Sequence, residues 1–135
     1  MKFKLVENIN HPTFLFHGTR HLLDILKSNT LKVGRTYSDG AAVCLTRDFQ
    51  FAKRFPYILV LNRDLLSMNY KIKLKSDSKN MQNKYARNGL TQSKAEEVIL
   101  QDITNLDKYI EYIVTDINIP NITTISKEKF IKEIL

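Results

Sequence analysis

Phe14, Leu15 and Phe16 form a continuous apolar run that stops at His17-Gly18-Thr19-Arg20, after which Leu22, Leu23, Ile25 and Leu26 recur at helical spacing. The change of period predicts a buried strand over Thr13 to Phe16 that delivers polar residues to an edge where a helix begins. Thr19 is placed to cap that helix, which runs to about Ser28 and is ended by Asn29 and Gly34. A polar loop from Val33 to Gly40, with Tyr37 inside it, leads to a short apolar strand over Ala41 to Leu45. Asp48 then caps a second helix that Pro56 stops. Tyr57 to Leu61 is an unbroken aliphatic run between Pro56 and Asn62-Arg63-Asp64, too short for a typical helix, and reads as a central strand. Tyr70 to Leu74 alternates, with Ile72 and Leu74 opposite Lys71, Lys73 and Lys75, as a half-exposed strand does.

The pattern is lost from Ser76 to Lys94, where Asn88-Gly89 is a turn signal. It returns at Glu97 to Leu100, followed by a short turn or helix over Asn105 to Ile110. A strand over Tyr112 to Ile119 and an amphipathic helix over Ser126 to Leu135 complete the reading. With 135 residues, 43% of them hydrophobic, one domain over 1–135 is expected, of α+β class.

Charge and cysteine content narrow the class. A formal net charge of +7 favours polyanionic partners or simply a lysine-rich, solvated surface. Lys71, Lys73, Lys75, Lys79, Lys84, Arg87 and Lys94 concentrate that charge against the single acid Asp77 in the same stretch. One cysteine, Cys44, excludes an intrachain disulfide and a multi-cysteine zinc site. No apolar run reaches membrane-spanning length and Met1 to Asn10 lacks a signal-peptide core, so a cytoplasmic protein is expected.

Two constellations carry candidate chemistry. Gly18 permits close approach of a ligand to the backbone, and the helix start leaves amide N–H groups unpaired, so His17-Gly18-Thr19 reads as a binding junction. Glu96 and Glu97 open an apolar strand. Adjacent acids on a strand point to opposite faces, so one enters a cleft while the other stays solvated or guards its rim. His17 and His21 sit on different predicted elements with no third ligand, and no metal is expected. Cys44, within an apolar strand, reads as a buried structural thiol.

The order of these parts resembles the ADP-ribosyltransferase superfamily, in the branch of diphtheria-type toxins and poly-ADP-ribose polymerases. That branch has His-Gly-Ser or His-Gly-Thr on its first strand, a tyrosine on or near the second and a glutamate on a late strand. His17-Gly18-Thr19 matches the first part. Glu97-Val98-Ile99-Leu100-Gln101-Asp102-Ile103 is similar to the polymerase glutamate strand, and Glu96-Glu97-Val98-Ile99-Leu100 also resembles the Glu-x-Glu-Val-Leu of arginine-modifying relatives, with Ala95 in place of the first acid. Glu111-Tyr112-Ile113-Val114 imitates the same motif but leaves too little chain after it. The resemblance spans about residues 13 to 120.

The resemblance implies split, bent antiparallel sheets around an NAD cleft, flanked by small helices, and an NAD-dependent mono-ADP-ribosyltransferase acting on a protein or nucleic-acid acceptor. Glu97 would then stabilise the oxocarbenium-like transition state. His17 would bond the adenosine-side ribose, the Gly18 backbone the nicotinamide amide, and Thr19 would support both. Tyr37 would stack from a donor loop, and Arg47, after Thr46, would pair with the diphosphate. At the second-strand and helix tyrosines of the polymerases this chain has Val43 or Cys44, and Phe51 or Phe55. The acceptor would approach across Asn88, Thr91, Gln92, Lys94 and Glu96. Two alternatives within the same superfamily are a silent NAD-, nucleotide- or nucleic-acid-binding member and an RNA 2'-phosphotransferase. The latter relies on further arginines and a late histidine, and no histidine follows His21.

Overall fold

Runs of β-branched and aliphatic residues form the centre of the molecule. The computed structural model describes residues 2–5, 12–36, 39–75 and 96–115. Its strands are β1 (Lys2–Leu5), β2 (Phe14–Thr19), β3 (Gly34–Arg35), β4 (Ala41–Thr46), β5 (Tyr57–Asn62), β6 (Lys73–Leu74), β7 (Glu96–Ile99) and β8 (Ile110–Thr115). They join in the order β1-β8-β5-β2-β4-β7-β6, with β3 paired to β4. Among the described strands all pairings are antiparallel except β1 with β8, so the chain is an α+β protein with a mostly antiparallel, open sheet and few helices.

The two sheet faces bury different sets of side chains, as the period of two requires. Leu15, Leu45, Leu59, Leu61 and Ile99 face α1 (Leu22–Ser28) and α3 (Arg63–Asn69), which contribute Leu22, Leu26 and Leu66. Phe16, Ile58, Val60 and Val114 face α2 (Phe49–Ala52), which contributes Phe49 and Ala52. Phe16 meets Phe49 edge-on with ring centroids 5.6 Å apart. Such fully buried side chains each contribute about 1.5–3 kcal/mol over their exposed state.

Asp48 caps α2 as expected, its carboxylate accepting from the Gln50 N–H at 3.1 Å. That helix ends at Ala52, short of Pro56. β2 continues through His17 and Gly18 to Thr19, so Thr19 is not the helix cap. His21 is, while the Thr19 hydroxyl accepts from the His21 N–H at 2.9 Å. The Val33–Gly40 stretch contains β3, and Gly40, at φ +68°, accepts from the Thr36 N–H at 2.9 Å to close its turn onto β4. Only Lys73 and Leu74 of the Tyr70–Leu74 segment form a strand. The short helix after Asn105 is a 3-10 turn, Leu106–Lys108.

Strand β1 was not anticipated from the sequence, and neither was helix α3. Of its apolar residues only Leu66 is buried, with Leu65 and Met68 exposed, so it presents no apolar stripe. Its signal is local: Asn62 accepts from the Leu65 N–H at 3.0 Å as an N-cap. The expected strand beyond Thr115 and the helix over Ser126 to Leu135 lie outside the described residues, as does the Ser76 to Lys94 loop apart from its flanks.

Candidate functional site

β4 lies between β2 and β7, so the strand with His17-Gly18-Thr19 and the strand opened by the two glutamates share one neighbour. Phe16 pairs with Thr46, and Thr46 with Glu96. Residues opposite each other across antiparallel strands share a face. Phe16, Thr46 and Glu96 therefore form one row, with Gly18 two residues further along the same face. Glu97 pairs with Leu45 and takes the other face.

The ladder between β2 and β4 is the single pair Phe16 and Thr46. Just beyond it a side chain crosses between the strands: His17 Nδ1 donates to the Cys44 carbonyl at 2.9 Å. A carbonyl only accepts, so Nδ1 carries the proton and, in the neutral ring, Nε2 presents a lone pair. Burial lowers the His17 pKa below its usual value, against the opposing Cys44 bond, and so favours that neutral ring.

A cavity of about 280 Å³ opens beside this junction, lined by His17, Gly18, Thr46, Phe51, Phe55 and Glu96 among others. Gly18 is required there sterically. A Cβ at that position would stand 2.3 Å from Phe55 Cδ2 and 2.9 Å from the Ala52 carbonyl oxygen. Phe51 is 37% exposed at the rim, with the Arg54 guanidinium 3.8 Å above its ring. Lys75 closes the wall, its Nζ 3.9 Å from the Glu96 carboxylate. A second cavity, about 400 Å³, is lined by His17, Thr19, His21, Asp24 and Lys32, so His17 borders both.

Glu97 is elsewhere, in an ion-pair cluster. Its Oε1 accepts from Arg47 Nε at 2.7 Å and from Arg63 Nε at 2.9 Å, and its Oε2 from Arg63 Nη2 at 2.7 Å. The topology explains the convergence. β4 and β5 flank β2 and both run antiparallel to it, so their C-terminal ends, followed by Arg47 and Arg63, reach the edge where β7 begins. Burial pushes the Glu97 carboxyl up, but hydrogen bonds from Arg63 and Arg47 and the attraction of both charges outweigh it, and the net pKa is lowered. The Arg63 bonds to Glu97 in turn raise the Arg63 pKa, against its partial burial. Three of about four acceptor positions on the carboxylate are taken, which leaves one on Oε2.

The structure thus brings His17, Gly18, Thr46, Phe51, Phe55 and Glu96 together at one cavity and gathers Arg47 with Glu97 on the opposite face. Thr19 borders the second cavity. Tyr37, Asn88, Thr91, Gln92 and Lys94 lie outside the described residues. Arg63 was not among the expected site residues. Its signal was the parallel between Asn62-Arg63-Asp64 and Thr46-Arg47-Asp48, a strand end, an arginine and an acid at a helix start. Among the described residues no group of three or more histidine, cysteine, aspartate or glutamate side chains is placed to hold a metal ion. No described helix is long and apolar enough to cross a membrane.

No family model, curated protein or solved structure matches the chain.

Proposed function

We propose that the protein is an NAD-dependent mono-ADP-ribosyltransferase whose dinucleotide occupies the two cavities on either side of His17. One observation carries the reading: His17, Gly18, two phenylalanine rings and one carboxylate, that of Glu96, line the same cavity. In this reading the nicotinamide end enters beneath Phe51 and Phe55, which supply a stacking surface without a hydroxyl. The adenosine end lies toward Thr19 and His21. His17 Nε2, held as an acceptor by the Cys44 bond, takes a ribose hydroxyl proton in a hydrogen bond.

The role of transition-state carboxylate goes to Glu96, because it lines the cavity while Glu97 is engaged by two arginines. As the bond between the ribose carbon and nicotinamide breaks, the pyridinium nitrogen keeps the electron pair and nicotinamide leaves neutral. Positive charge develops on the sugar, and a fixed carboxylate beside it lowers that barrier. A lone pair of the acceptor forms the new bond and its proton passes to water. Glu97, bonded on the opposite face of the same strand, holds β7 in place.

The test is incubation of the pure protein with labelled NAD and separate pools of protein and nucleic acid. Transfer to one pool is expected, and Glu96→Gln should reduce it about a hundredfold or more while leaving NAD binding intact. Undiminished transfer in Glu96→Gln, with loss in Glu97→Gln, would return the carboxylate role to Glu97. Wild-type protein that binds NAD without transfer would select the silent-binder reading, and absence of both overturns the proposal.

A further inference from the structure

Resting on the activity proposed above, we infer that the acceptor is a single-stranded nucleic acid, laid between the β6 edge and the α2 rim of the Glu96 cavity. Lys73 pairs with Val98, two residues along β7 from Glu96, and so stands on the cavity face. Lys75 follows on that face, with its N–H donating to the Glu96 carbonyl at 3.1 Å and its Nζ at the cavity wall. Two residues of strand separate the two lysines by roughly 6.5 Å, which makes a cationic row rather than a point charge. Lys71 and Lys73 are exposed and together border a further hollow of about 180 Å³ beside Leu100 and Gln101. β6 ends the order of the described strands. Across the cavity, Lys53 and Arg54 are exposed, with the Arg54 guanidinium carbon 3.8 Å from the Phe51 ring centroid.

The sequence of features across this face is therefore lysine row, carboxylate-lined cavity, exposed aromatic ring and second cationic rim. Cations on both sides attract a phosphate backbone, and they disfavour a lysine- or arginine-bearing acceptor by like charge. An exposed ring beside an arginine suits the π-face of an unstacked base. The cavity is recessed between α2 and β7, so a base held in a duplex would not reach the sugar carbon. The transfer step balances with a nucleotide acceptor. Its nitrogen or oxygen lone pair forms the bond to the ribose carbon, nicotinamide leaves with the electron pair of the broken bond, and the acceptor's proton goes to water.

Anisotropy with labelled oligothymidylate, oligouridylate and a duplex, each about 20 nucleotides long, reads docking without NAD. The single strands should bind more tightly than the duplex, and the DNA and RNA arms separate the two sources of the same chemistry. The double variant K71E/K73E, with unchanged circular dichroism, should weaken binding about tenfold or more and make the log–log salt slope between about 50 and 200 mM shallower by about 1.4. Equal binding of the duplex, or no effect of the double variant, overturns the inference. So does label transfer to the protein pool with no oligonucleotide bound, a result that leaves the transferase reading standing. A strand that is bound in the expected way but never labelled in the presence of NAD, while label passes to the protein pool, overturns its role as acceptor and leaves the transferase reading standing.

Discussion

Glu96 and Glu97 are consecutive in the chain and occupy opposite faces of the sheet, Glu96 at the cavity beside His17 and Gly18, Glu97 between the guanidinium groups of Arg47 and Arg63. The pleat of β7 separates them by construction, and everything that distinguishes their chemistry comes from what packs on each face. Glu96 stays partly solvated, with the Lys75 Nζ 3.9 Å from its carboxylate. Glu97 is 6% exposed and hydrogen-bonded three times.

Removal of the Glu97 carboxylate tests what the cluster contributes to stability. Glu97→Ala leaves two arginines facing each other, each about a quarter exposed, and should cost about 3 kcal/mol in urea unfolding at neutral pH. Glu97→Gln should cost less, since one oxygen still accepts. A loss below about 1 kcal/mol in the alanine variant would class the cluster with ordinary surface pairs.

Acid should destabilise the protein in two stages. The His17 pKa is lowered in the fold, so the unfolded chain binds its proton first and stability falls as pH drops below the usual 6.5. The Glu97 pKa is also lowered, so its contribution is complete above the usual 4.5 and is lost as pH falls further, through the folded value. Urea midpoints measured from neutral pH to about pH 3 should show both declines. His17→Asn should flatten the first and Glu97→Gln the second.

Gly18→Ala places a methyl group against the Phe55 ring and the Ala52 carbonyl. The ring has a side chain to move and the carbonyl does not, so a cost of about 1–3 kcal/mol in thermal or urea unfolding is expected. Adding Phe55→Ala should relieve the ring overlap only. If the double variant is fully additive, the carbonyl is the barrier and Phe55 yields freely.

His17→Phe keeps the bulk of the ring but removes the donor to the Cys44 carbonyl, and should cost about 1–3 kcal/mol. His17→Asn restores an N–H near the Nδ1 position and should recover much of that loss. It presents no acceptor where Nε2 stood, so NAD affinity by calorimetry should stay low in both variants. Full affinity in His17→Asn would remove the ring from the binding reading.

The sequence determined a good deal by itself. Continuous aliphatic runs made Phe14 to Phe16, Ala41 to Leu45 and Tyr57 to Leu61 strands, because each is buried on both faces and needs no alternation. Asp48 announced a helix start through a hydrogen bond of strictly local range. The alternation of Glu96 and Glu97 was also legible, since it follows from the strand period alone. Which glutamate would face the cavity was not. That depended on β4 pairing with β2 on one side and β7 on the other in a given register, and on the parallel run of β4 and β5 that carries Arg47 and Arg63 to one edge. Nothing local in Arg63 marks it as a partner of Glu97, 34 residues away, because the attraction between them exists only once the strands are paired. Local geometry is written in neighbouring residues; the assignment of chemistry to a face is made by register, which is a property of the assembled sheet.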